Sequence, residues 1–439
     1  MLNLLSNTAA FVFALGVIIF VHEAGHLLVA KVFDVRVLAF SLGFGRRLWG
    51  FRRGETDYRV SLVPLGGYVR LGGEDPAEVD PGDPQQFLNK PRWQRVLVYL
   101  AGPAMNVVLA IVLIAGVFMV GVEVSAIPDL PPVVGHVVAD SAAAAVGIEV
   151  GDRILAVDGK AVRRWDEVQF ALLTSPERPV ALVLERAGQQ LAVTVTPAKV
   201  PRYEFGDAGL LPKQLPKIAA VVAGSPAERA GFAPGDEIHG VDGRAIGSGN
   251  DFVEYVEQRP GQSLTVEVER QGRSVVLTVV PRLDGEVGRI GVTLSYFQRF
   301  GPLESFVQSA RFNWQITVQT FRMLGKIATG QVTAKSAFSG PLEIAALSGA
   351  AVRSGLRNLI QLMGLISISI AILNLLPVPV LDGGQITILL VESGLRRDFP
   401  FKVKERIQQV GFVLIVMLMV MVLYFDISKN VPPGLLPGS

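Results

Sequence analysis

Apolar residues in this chain gather into four long runs separated by polar stretches. Residues 1–21 contain no charged side chain, and the apolar pattern continues past His26 through Leu27, Leu28, Val29 and Val32, which predicts a helix over about 5–32. A second charge-free run between Arg95 and Glu123 predicts a helix over about 96–122. Leu359–Leu376 predicts one over about 357–376, and the run after Val410 one over about 408–426. Each reaches or approaches the ~20 residues needed to cross roughly 30 Å of hydrocarbon. The first run lacks the basic start and small-residue cleavage site of a secretory leader, so it reads as a span.

The polar stretches differ from one another in charge. Residues 31–95 are rich in Lys and Arg, and Arg396, Arg397, Lys402, Lys404 and Arg406 crowd the loop between the third and fourth runs. The positive-inside rule therefore places both basic loops (33–94 is the first) in the cytoplasm and both termini outside. Segment 123–355 is left outside as well, and it repeats with a period of 84. Ser141, Gly147, Gly151, Asp152, Ile154, Val157, Asp158 and Gly159 recur as Ser225, Gly231, Gly235, Asp236, Ile238, Val241, Asp242 and Gly243. Arg186, Gly188 and Pro197 recur as Arg270, Gly272 and Pro281. Asp-Gly pairs are hairpin-turn chemistry, so two tandem α/β modules are expected at 126–205 and 206–295. Residues 296–355 read as an amphipathic helical linker with a stripe of Phe306, Ala310, Trp314, Val318 and Phe321. Core packing or lying on the membrane surface is the expected use of that stripe, with direct substrate gating the alternative.

Composition removes several function classes. Of 439 residues, 50% are hydrophobic and 18% charged, the net charge is +2 and mean hydropathy is +0.42. Those values argue against a soluble globule, a disordered chain and a nucleic-acid binder. With no Cys, disulfides, thiolate metal sites and cysteine nucleophiles are excluded. Four His remain.

Two of them form His22-Glu23-Ala24-Gly25-His26 inside the first apolar run. Four residues turn a helix by about 400°, so the two imidazoles share a face and can hold one Zn²⁺. Glu23 is then placed as general base for a metal-bound water. The alternative is two buried His with ordinary hydrogen bonds, but an ionisable Glu at membrane depth is costly without a function. A catalytic zinc wants a third protein ligand and an open position. His136 and His239 lie in the outer modules, so a carboxylate is required. Between Glu343 and Glu392 the chain offers only Asp382, in Asn374-Leu-Leu-Pro-Val-Pro-Val-Leu-Asp-Gly-Gly384. Pro377 and Pro379 open the backbone there. Residue 22 lies roughly 26 Å along a helix entering from outside, so both motifs reach the cytoplasmic leaflet.

H-E-x-x-H together with N-x-x-P-x-P-x-L-D-G resembles the site-2 protease family of intramembrane zinc metalloproteases. The G-D-x-I-x-x-V-D-G phrase resembles the PDZ domain, which binds extended peptides by strand addition. Together with Ala101-Gly102-Pro103-x-x-Asn106 and Ser339-Gly340-Pro341, the likeness covers essentially the whole chain. It implies a multi-domain membrane protein, a four-helix metalloprotease core with two PDZ domains inserted between the second and third spans. It implies His22, His26 and Asp382 as zinc ligands, Glu23 as base, and Asn374 as the residue that holds substrate or polarises the scissile carbonyl. The implied substrate is a pre-trimmed single-span membrane protein, an anti-sigma factor, with remnant signal peptides as a further class. The implied location is the inner membrane of a Gram-negative-type bacterium, with termini and PDZ domains periplasmic. The PDZ pair would screen substrates by binding or by size, or act only as spacers. Gln385 stands where many members have His, which bears on substrate fit.

A spanning substrate hides its peptide bonds, so an exposed strand edge near the metal would help to present them. Tyr58–Gly73 is alternating and Gly-punctuated, and is expected to form a membrane-associated hairpin that clamps the substrate in extended form, with an ordinary cytosolic hairpin or a membrane-surface anchor as the alternative. Gly66, Gly67, Tyr68, Val69, Asn106, Pro377 and Pro379 are the candidate substrate contacts. A membrane-anchored PDZ scaffold and a metal-ion transporter are the competing classes.

Overall fold

The computed structural model describes residues 2–75, 79–123, 130–200, 204–295, 297–333, 335 and 340–430; Ser339 and the tail 431–439 lie outside the described residues. The chain divides into two compact units, one of residues 1–120, 301–320 and 338–439, the other of residues 121–300 and 321–337.

The first unit is mostly helical, and its third helix continues past residue 320 into the second unit. Helix α1 spans Leu2–Val32, α2 Arg92–Val120, α3 Pro302–Ala328, α4 Pro341–Arg353, α5 Leu356–Asn374, α6 Asp382–Leu395 and α7 Phe401–Asn430. Four stretches, Asn7–Val32, Arg92–Val120, Leu356–Asn374 and Phe401–Ser428, are long and apolar enough to cross a membrane. Their ends shift from the expected ones for local reasons. Helix α2 stops at Gly121 (φ +125°), and α5 ends at Asn374 because Pro377 and Pro379 cannot donate to another turn. Where α1 crosses α2, Gly25 lies so close to the Ala101 carbonyl that a Cβ would sit 2.4 Å from its oxygen. Small residues allow such backbone approach between helices in lipid.

The stripe on α3 faces the opposite way from core packing. Ser305, Ser309 and Asn313 are buried, whereas Phe306 and Trp314 are exposed. Ser309 Oγ donates to the Ile111 carbonyl at 2.8 Å. An apolar stripe left exposed is what a helix lying on a membrane surface presents. Asp426 in α7 is likewise buried, and its carboxylate accepts the Leu342 N–H at 2.7 Å and the Glu343 N–H at 3.1 Å, capping the start of α4.

Between α1 and α2 lies an antiparallel ribbon of β1 (Val37–Arg53) and β2 (Thr56–Leu71), reversing at Gly54-Glu55 with Gly54 at φ +62°. Both strands curl back on themselves. Phe40 pairs with Tyr58 on one side and Val69 on the other, and Tyr58 also pairs with Phe51. The lateral order is therefore 67–71, 37–42, 56–61, 47–53. This corrects the expected Tyr58–Gly73 hairpin: its two limbs are not partners, since residues 37–42 lie between them. Gly43 (φ +92°) and Gly66 (φ +128°) supply the bends, which most L residues could not adopt without strain.

The second unit holds the two repeats. In the first, strands Lys160–Ala161, Arg153–Val157, Val180–Arg186 and Gln189–Val195 form a sheet packed on helix Trp165–Leu173. In the second, Arg273–Val279, Leu264–Arg270, Glu237–Val241, Lys217–Val221 and Val292–Ser295 pack on helix Gly249–Glu257. Strand Leu210–Pro212 pairs with Val134–Val137, so the first module runs past the expected boundary at 205. The repeated phrase has one physical use in both copies. Arg186 holds buried Asp152 through two bonds of 2.7 Å and also the Gly147 carbonyl; Arg270 holds Asp236 and the Gly231 carbonyl in the same way. Burial, the largest single influence, works to raise the Asp152 carboxyl, but the Arg186 hydrogen bonds, the Glu149 backbone N–H and the Arg186 charge together outweigh it and hold it below the ordinary range. A carboxyl depressed in the folded state contributes stability above its unfolded pKa, about 3.9, that is lost as pH falls through the folded value. Asp152→Asn is expected to remove about 2 kcal/mol from the first module and flatten its acid sensitivity. Hydrogen exchange of the Arg153–Val157 amides in the full chain measures both.

Candidate active site

Helix α1 presents His22 and His26 one turn apart, with ring centroids 4.9 Å from each other. Their Nε2 atoms lie 3.2 Å apart, and Asp382 completes the group: its Oδ2 is 3.2 Å from His22 Nε2 and its Oδ1 3.6 Å from His26 Nε2. Asp382 reaches this position as the first residue of α6, after the irregular turn 375–381. The two glycines behind it are packed tight, since a Cβ on Gly383 would meet the Leu375 carbonyl at 2.3 Å and one on Gly384 the Val378 oxygen at 2.0 Å. Ligand atoms of His22, His26 and Asp382 all fall within 4.8 Å of one another.

The rear of the site is built by α2. The His26 Nδ1–H donates to the Val98 carbonyl at 2.8 Å. Gly102, one turn on, leaves open the space in front of both imidazoles: a Cβ there would lie 2.3 Å from His26 Nε2 and 2.7 Å from His22 Nε2. Asn106, one further turn on, is fully buried with Nδ2 3.2 Å from His22 Nδ1.

A cavity of about 490 Å³ opens in front of these groups, lined by Glu23, Gly66, Gly67, Tyr68, Val69 and Asn374 as well as the His–His–Asp group. Gly67 touches the catalytic helix directly, for a Cβ on it would lie 2.8 Å from Glu23 Cγ. Three expected substrate contacts fall elsewhere. Asn106 is buried behind His22. Pro379 packs on Gly411 and its carbonyl accepts the Gln385 side chain at 2.8 Å, while Pro377 does not line the cavity. The prolines shape the turn that delivers Asp382, and Gln385 braces it. Gly102 is not singled out as a site residue by the sequence alone. Its signal lay in the sequence, a glycine at membrane depth four residues before an Asn, but its partner helix did not.

Two histidines and a carboxylate around an apolar-walled cavity, on helices long enough to span a bilayer, define a membrane metalloprotease. The profile of Peptidase family M50 matches residues 10–418. The "Regulator of sigma E protease" of Salmonella typhi is 34% identical over 98% of this chain and 100% of its own length. The "Regulator of sigma-E protease RseP" of Escherichia coli K12 matches at the same identity and coverage. A candidate zinc metalloprotease of Neisseria meningitidis is 33% identical over 95% of this chain and 97% of its own. The solved PDZ domain of an SdrC-like protein from Listeria monocytogenes is 24% identical, covering 18% of this chain and 85% of that one, with a TM-score of 0.17. The chain belongs to peptidase family M50, and it is a zinc metalloprotease. Its residues fit that metal: two imidazoles and one carboxylate leave a position for water, and Gly102 keeps the space before both nitrogens clear.

Proposed function

We propose that this protease cuts the transmembrane segment of a single-span membrane protein, with His22, His26 and Asp382 holding zinc. The carrying observation is the convergence of those three donors beside Glu23 in a cavity of a unit whose helices are long enough to span a membrane. Bound zinc supplies Lewis-acid activation of water and of the scissile carbonyl. Glu23 takes the proton from the attacking water and returns it to the leaving amine. Asn374, at the cavity wall, donates its amide N–H to the oxygen on which charge develops.

Segment 67–71 supports the presentation of an unwound substrate. It is the outermost limb of the ribbon, and among the described residues its only strand neighbour is 37–42. Gly67, Tyr68 and Val69 face the cavity from that edge, so strand addition there would satisfy the N–H and C=O groups a cleaved helix must free. Val69→Pro is expected to cut proteolysis at least about 10-fold with zinc content unchanged, because proline removes one ladder donor at the edge. Equal cleavage by the variant would refute the clamp.

The relatives are named as regulators of sigma E; the substrate class implied by the family resemblance is a membrane-bound anti-sigma factor, with remnant signal peptides as a second class. Basic loops at 33–94 and 396–406 support placing the metal site near the cytoplasmic face of an inner membrane, with termini and both α/β modules periplasmic. The modules carry the PDZ-like phrase between the second and third spans, where they would screen untrimmed substrates. Purified protein incubated with a single-span substrate, with and without chelator, tests the whole reading: cleavage that persists without metal refutes it.

A further inference from the structure

We propose that Asn106 is a positioning residue for the metal, its carboxamide oxygen accepting the Nδ1 proton of His22 so that His22 Nε2 faces zinc unprotonated. This rests on His22 being a zinc ligand, as proposed above.

A neutral imidazole carries one proton, and a nitrogen that binds metal must give it to the other nitrogen. That second nitrogen needs an acceptor to fix the ring. For His26 the acceptor is the Val98 backbone carbonyl, at 2.8 Å from Nδ1. For His22 the group at Nδ1 is the Asn106 carboxamide, with Nδ2 at 3.2 Å and Oδ1 buried without a partner. In this arrangement His22 Nε2 lies 3.2 Å from Asp382 Oδ2, as a donor to that carboxylate would. With Nε2 given to a metal, the imidazole's one proton would sit on Nδ1. A half-turn of the carboxamide then brings its oxygen where the nitrogen stood.

Geometry makes this arrangement specific to one helix face. Val98, Gly102 and Asn106 are spaced four residues apart on α2, and they meet His22 and His26, four residues apart on α1. One turn offers a carbonyl, the next leaves room for the metal, and the third offers an amide. Asn106 is fully buried, and Ser367 Oγ on α5 donates to its backbone carbonyl at 2.8 Å, which holds this turn of α2 in place.

The test is zinc affinity of the purified full-length chain, read by competition against a chromophoric chelator. Asn106→Leu, similar in size but without an acceptor, should bind zinc about 10–100-fold more weakly than the parent. Asn106→Asp, which can only accept, should restore affinity to the parent's level or above. Wild-type affinity in Asn106→Leu while His22→Ala loses zinc would overturn the proposal and leave the ligand assignment standing. An Asn106→Asp as weak as Asn106→Leu would overturn it too, because the amide would then act as a donor or as packing. If His22→Ala binds zinc as the parent does, the ligand assignment itself fails, and the proposal with it.

Discussion

Glu23→Gln is expected to slow cleavage on the order of 10³-fold while the purified protein keeps its zinc. Glutamine has the shape of glutamate and can still hydrogen-bond, but it cannot accept the proton of an attacking water. Glu23 lines the cavity, and its stem lies against Gly67, so the carboxylate is confined between helix and ribbon. The replacement should therefore leave the fold and the three donors of His22, His26 and Asp382 undisturbed. Time courses on a single-span substrate, with zinc content measured on the same samples, check the result. Cleavage within about 10-fold of the parent would remove Glu23 from the role of base. An unchanged rate is what a scaffold or a metal transporter predicts.

Gly102→Ala should be nearly as damaging through a different route. A methyl group there would stand 2.3 Å from His26 Nε2 and 2.7 Å from His22 Nε2, inside any permissible contact. Neither ring can retreat without breaking a bond, since His26 Nδ1 is tied to Val98 and His22 Nδ1 to Asn106. The added carbon would take the volume the metal needs, so zinc affinity should fall about 100-fold or more, with activity lost in parallel. Helix propensity works the other way, because alanine is favoured over glycine by about 1 kcal/mol in a helix interior. Loss of zinc with retained helix content is thus the expected signature. Gly116→Ala serves as the control: on the same helix its Cβ would meet nothing within 4 Å. Zinc binding by Gly102→Ala at the parent's strength would show that the metal sits elsewhere.

The two variants differ in how visible their residues are in sequence. Glu23 is conspicuous because His22 and His26 flank it on one helix, and a four-residue spacing is converted to geometry by the helix alone. Asp382 could be found by elimination, since so few acids occur in the apolar part of the chain. Gly102 and Asn106 belong to another helix, and nothing local reveals which turn of α2 faces the imidazoles. The ribbon misled for a related reason. Tyr58–Gly73 has the alternation of a strand pair, but strand pairing is decided by what lies beside a segment. Here residues 37–42 take the position between its limbs.

Sequence alone located the four apolar runs long enough to span, the 84-residue repeat with its recurring Asp and Arg, and His22, His26 and Asp382 as the candidate metal ligands. Each of these depends on period, spacing or composition, which are properties of a chain read in order. Tertiary structure alone decided that α2 buttresses the site with Val98, Gly102 and Asn106, that the prolines of the 374–384 motif shape a turn and do not line the cavity, and that 67–71 is the ribbon's edge. Those facts arise where helices cross and strands choose partners, and the free energy of such contacts depends on residues far apart in the chain.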